Sequence, residues 1–94
     1  MKFLNGKWYK KTRKYKASTM VTYLHLSEDV EEGDTTYADM FDFEMVDHNG
    51  RTAFSYLYSP RGPEMMVEDY VEADEQDFMT IIRVIFMSER GQIR

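Results

Sequence analysis

Apolar and polar residues alternate along much of the chain, and the alternation is sharpest around His48-Asn49-Gly50-Arg51. Asn-Gly supplies the two positive-φ residues that a type I′ turn requires, and such turns join twisted antiparallel strands. Placing Asn49-Gly50 at the turn sets Asp47 against Thr52, Met45 against Phe54, Phe43 against Tyr56 and Phe41 against Tyr58. Three successive pairs on one face are then aromatic or thioether against aromatic, while Asp42, Glu44, Ala53 and Ser55 take the other face. Turn chemistry and alternation agree on one hairpin.

Thr19 to Ser27 is rich in Thr, Val and Tyr and reads as a second strand region. Ser27 to Asp34 is an acidic turn region with one glycine, and Ser59-Pro60-Arg61-Gly62-Pro63 is a loop, because prolines cannot continue a ladder. Met65 to Ala73 alternates as a strand, with Asp69 breaking the pattern. The spacing of Val67, Tyr70, Val71, Asp74 and Phe78 fits a short helix near 64–75 equally well. Phe78 to Met87 is a β-branched run that reads as a final strand, apolar on both faces. Lys7 to Lys16 reads as a first strand with almost no apolar face beyond Trp8, placed at a sheet edge where lysines block edge-to-edge pairing.

The expected fold is all-β, or β-rich α+β: about six antiparallel strands in a meander that forms a curled sheet or a small barrel. Residues 1–94 fit a single domain. The 15% aromatic content agrees with β-structure.

Cysteine is absent, which removes disulfides and thiol chemistry and favours a reducing compartment, the cytoplasm of a cell or of an infected host. The N-terminus has no apolar run of a signal peptide, and the longest apolar stretch, ten residues interrupted by Arg83, is too short to span a bilayer. No membrane association is expected.

The net charge of −5 hides an asymmetry. Seven Lys and Arg lie within residues 1–16 with no acid among them, and the remainder carries −12, five arginines against seventeen acids. From Ser27 to Asp47 there are nine acids and from Glu64 to Asp77 seven, with no Lys or Arg in either stretch. Such asymmetry bears on partners rather than on fold.

Catalytic chemistry finds little support. His25 and His48 stand alone, Ser27 near His25 lacks a third partner, and the glycines form no phosphate-cradling motif. The acidic stretches lack the alternating ligands of a calcium loop. Neither a catalytic residue nor a metal or cofactor is expected, and a non-enzymatic binding role is.

Three binding classes follow. The first is an interaction or inhibitor protein engaging a basic surface on a protein partner through Glu64, Glu68, Asp69, Glu72, Asp74, Glu75 and Asp77, imitating a phosphate array as small acidic phage inhibitors do. The second is a barrel holding a small molecule on Trp8, Phe41, Phe43, Phe54, Tyr56 and Tyr58. Asn5-Gly6-Lys7-Trp8-Tyr9 resembles, over five residues, the Gly-x-Trp opening of lipocalin-like barrels, which implies such a cavity, although those barrels have eight or more strands. The third is nucleic-acid binding, with Lys7, Lys10, Lys11, Arg13 and Lys14 on phosphates and Trp8 or Tyr9 stacking on bases. A final strand apolar on both faces would also need a second subunit to cover it, so a homodimer is expected.

Overall fold

The register predicted for the 41–58 hairpin is the one found in the computed structural model, which describes residues 2–48, 51–61 and 64–92, without the side chains of His48, Ile85, Phe86 and residues 88–92. Asn49-Gly50 itself lies outside the described residues. Its flanking strands nevertheless pair from His48 with Arg51 to Met40 with Ser59.

The strands are β1 (Lys2–Phe3), β2 (Trp8–Lys14), β3 (Ser18–His25), β4 (Val30–Glu31), β5 (Thr35–Thr36), β6 (Asp39–His48), β7 (Arg51–Ser59), β8 (Met65–Met66) and β9 (Val71–Ala73). One helix, α1 (Glu75–Gln92), follows. Five strands make an antiparallel sheet in the order β7-β6-β3-β2-β9, and β1-β4 and β5-β8 make two small antiparallel pairs.

Three expectations are corrected here, and of the two readings of 64–75 the strand is the one found. The sheet does not close into a barrel, because β7 and β9 are its two free edges. The lysine-rich β2 is an interior strand along its first half: Trp8 to Lys10 pair with β9 on one side and β3 on the other. Only Lys11 to Lys14 remain edge-like. The 78–87 run is helix rather than strand, and 64–75 is two short strands separated by a bend rather than a helix.

Local chemistry explains the helix. Asp74 caps it, accepting the Asp77 N–H on Oδ1 at 2.7 Å, and Glu75 and Asp77 set negative charge against the positive end of the helix dipole. Phe78, Ile81 and Ile82 then recur at helical spacing and pack on the sheet. Met79, Arg83 and Met87 are exposed, and Val84 is half-exposed at the edge of the contact. Strand propensity of the β-branched residues yields to this tertiary contact. The bend that divides 64–75 falls at Asp69, which adopts a left-handed φ of 61° that aspartate tolerates better than most residues.

Pairing divides the sheet residues between two faces. Trp8, Val21, Tyr23, Phe41, Phe43, Met45 and Phe54 form the face beneath α1. Phe78 sits among them, its ring centroid 4.3 Å from Phe41, 4.6 Å from Trp8 and 5.7 Å from Tyr23. On the opposite face Tyr9 and Leu24 join Phe3, Leu26, Val30, Ala38, Val67 and Tyr70 in a second core, covered by the small strand pairs at one end of the sheet.

Phe78→Ala is expected to lower the unfolding free energy by about 3–5 kcal/mol, and Met79→Ala, exposed on the same helix, by less than about 1 kcal/mol. Urea titration of both variants checks this. Equal losses would mean that α1 does not dock through this face.

Candidate functional site

The two acidic stretches meet at one end of the molecule. β4 runs into a tight turn in which the Asp34 N–H donates to the Glu31 carbonyl at 3.0 Å. Gly33 takes φ 89°, a conformation open to glycine and costly for other residues. From this turn the Gly33 N–H donates to the Val67 carbonyl at 2.8 Å, and the Val67 N–H returns a bond to the Asp34 carbonyl at 2.9 Å. Val67 is fully buried beneath, and β5 with β8 continues the pairing. The Asp69 N–H completes the connection by donating to Glu32 Oε1 at 3.1 Å.

Five acids between Glu28 and Asp34 are thereby set beside three between Glu64 and Asp69. Some of them hold the structure together. Glu28 accepts the hydroxyl of buried Thr36 at 2.6 Å, and Glu64 accepts that of Thr35 at 2.8 Å. Asp29 accepts the Asn5 N–H and approaches Lys2 at 3.9 Å. Glu31, Asp34 and Glu68 are exposed, and their carboxylates have no hydrogen-bond or ion-pair partner among the described residues.

The seven acids picked out in sequence therefore divide. Glu64, Glu68 and Asp69 belong to this end. Glu72, Asp74, Glu75 and Asp77 lie along β9 and the start of α1, beside the basic strand. Lys7 pairs with Glu72 at 3.5 Å and Lys10 with Asp77 at 3.8 Å. Both pairs are solvent-exposed and contribute little to stability. Glu28, Asp29, Glu31, Glu32 and Asp34 were the members missed. Their run was visible, but its junction with 64–69 depends on long-range backbone pairing.

The basic residues are arranged differently from a nucleic-acid platform. Tyr9 is 3% exposed, its ring edge-on to Phe3 at 4.9 Å. Trp8 is stacked between His25 at 4.7 Å and Phe78 at 4.6 Å. Neither ring offers a face to a base. Lys11 donates to the Glu68 carbonyl at 3.3 Å and lies 5.6 Å over the Tyr70 ring. Arg13 reaches Met20 Sδ at 3.5 Å, and Lys14 is exposed.

The aromatic set of the ligand reading does share one face, but that face is the core under Phe78. Tyr56 and Tyr58 lie on the same side of the sheet and stay exposed. A pocket of about 190 Å³ remains between Phe43, Met45, Phe54, Ile81 and Val84, smaller than the usual range of roughly 300–1,000 Å³ for drug-sized ligands. On the opposite face a shallow groove of about 290 Å³ runs past Met20, Asp42, Glu44 and Leu57.

His25 is half-buried against Trp8, and Ser27 is exposed beyond it. Among the described residues no group of three or more His, Asp or Glu is placed to hold a metal ion, and no helix is long and apolar enough to cross a membrane.

No family model matches the chain, nor does any curated protein or solved structure.

Tyr70, beneath Lys11 and 4% exposed, has its phenol pushed up from 10.0 to about 12, chiefly by burial, with Arg13 pulling down and Asp42 pushing up. Tyr23 moves in the same direction, through burial and then the charges of Asp77 and Asp74. Between the ordinary and the raised value the folded chain holds a proton on Tyr70 that the unfolded chain has released. Stability is therefore complete below about pH 10 and falls as pH rises toward 12, by an amount of order 2–3 kcal/mol for Tyr70. Urea titrations across this window should give a shallower decline for Tyr70→Phe than for the native chain. An unchanged slope would remove Tyr70 from the account.

Proposed function

We propose that this chain is a non-enzymatic binding protein whose acidic end engages a basic surface on a protein partner. The observation that carries this is the joining of the 28–34 and 64–69 segments, which gathers carboxylates distant in sequence into one array. Backbone hydrogen bonds and buried Val67 hold that array. Binding therefore costs less ordering than it would for a flexible acidic tail. Concentrated negative potential steers a basic partner and accelerates encounter. A set of fixed carboxylates also suits a protein that imitates nucleic-acid phosphates in a basic groove.

The two other binding classes have less behind them. Nucleic-acid stacking would need Trp8 and Tyr9, which are engaged in packing. A ligand barrel would need closure, and the sheet is open.

Reversing Glu31, Asp34 and Glu68 to Lys tests the proposal without removing a carboxylate that holds the fold. The probe is an arginine-rich peptide titrated at low salt, compared with a control carrying Glu44→Lys, Asp47→Lys and Glu75→Lys. Affinity should fall at least about tenfold in the first variant and by less than about threefold in the control. Equal losses would assign binding to net charge and overturn the role of this end.

A further inference from the structure

The two edges of the main sheet are treated unequally. On one side β9 has only three residues, and beyond it β2 presents Lys11, Arg13 and Lys14. Shortness and lysines are the usual means by which proteins keep an edge from pairing. On the other side β7 runs nine residues, Arg51–Ser59, with neither lysine nor proline and one charge, at its first position. In an antiparallel ladder alternate residues of an edge strand turn N–H and C=O outward, so β7 offers a long row of backbone groups without partners among the described residues. Large apolar side chains stand exposed on both faces: Tyr56 at 52% and Tyr58 at 46% on one, Leu57 at 62% on the other.

We infer that β7 pairs antiparallel with β7 of a second copy, joining two five-stranded sheets into one of ten strands. Full overlap of nine residues puts the two-fold axis at Ser55, with Arg51 opposite Ser59, Thr52 opposite Tyr58, Ala53 opposite Leu57 and Phe54 opposite Tyr56. Charge favours a second copy as occupant. At a net charge of −5 two copies repel each other wherever their acids meet, whereas this register sets no charged residue against another.

Shape gives a separate argument. Phe54 lines the apolar pocket with Ile81 and Val84, and Val84 is 47% exposed. Tyr56 of the second copy would stand opposite Phe54, where its ring can cover the mouth of that pocket. Both helices would then lie on the same face of the joined sheet.

The chain contains no cysteine, so a single introduced thiol reports cleanly on the register. Ser55 is exposed on the face away from α1, which makes Ser55→Cys and Ser55→Lys mild changes to the fold. Sedimentation equilibrium of the native chain should give a dimer at sub-millimolar concentration. Ser55→Cys should cross-link into pairs on mild oxidation, and Lys14→Cys at the opposite edge should not. Ser55→Lys, which opposes two cations at the axis, should weaken the dimer at least about tenfold while leaving the circular dichroism unchanged. A native chain that stays monomeric would overturn the inference and leave β7 to a strand from a different protein. A dimer that neither cross-links in the Ser55→Cys variant nor responds to Ser55→Lys would overturn it too, by assigning assembly to another surface.

Discussion

Phe78 docking on the sheet is the contact from which the rest of the arrangement follows. Its ring meets Trp8, Tyr23, Phe41 and Phe43 within centroid distances of 4.3 to 6.1 Å. Those four residues come from β2, β3 and β6, so one helical side chain ties together the middle of the sheet. Aromatic pairs of this kind contribute about 0.5–1.5 kcal/mol each beyond the burial of their area. The position of Phe78 is in turn held by the Asp74 cap and by β9, which delivers the chain to the helix start. Lys10 and Asp77 span the same junction. The sheet can stay open because α1 covers one face and the small strand pairs cover part of the other.

Local signals made the β6–β7 hairpin legible in the sequence, since Asn49-Gly50 and the alternation of Phe41, Phe43 and Met45 demanded the same register. The helix was harder to see. Ile81, Ile82, Val84 and Ile85 carry strand propensity, and that run outweighed two quieter signs: Asp74 three residues before Asp77, and the spacing of Phe78, Ile81 and Ile82. Propensity was a weak prior here against a capped segment with a surface to pack on. The β2 lysines read as edge guards, and that role holds for the half of the strand that β9 leaves free.

The acidic end lay beyond local reasoning for a different cause. Nothing within 28–34 or 64–69 says that they touch. Their union rests on Gly33 turning into reach of Val67 and on Asp69 bending toward Glu32, bonds between residues more than thirty positions apart. The charge was plain in the composition, but its geometry required the fold. The same holds for Tyr9, which looks like a binding aromatic in a row of lysines and is in fact core.

Chain order in the main sheet also bears on how the protein is made. β2, β3, β6 and β7 are neighbours in space in the order of their synthesis, and the longest link between successive members is residues 26–38. β9 joins β2 across some sixty residues, so its loop closure has the highest entropic cost and its pairing belongs to the late stages of folding. Until β9 and α1 are in place, a nascent or partly folded chain presents β2 as a bare edge with Trp8 uncovered. The cations along that strand then guard against misassembly while the chain is incomplete, before Lys10 meets Asp77, its native partner.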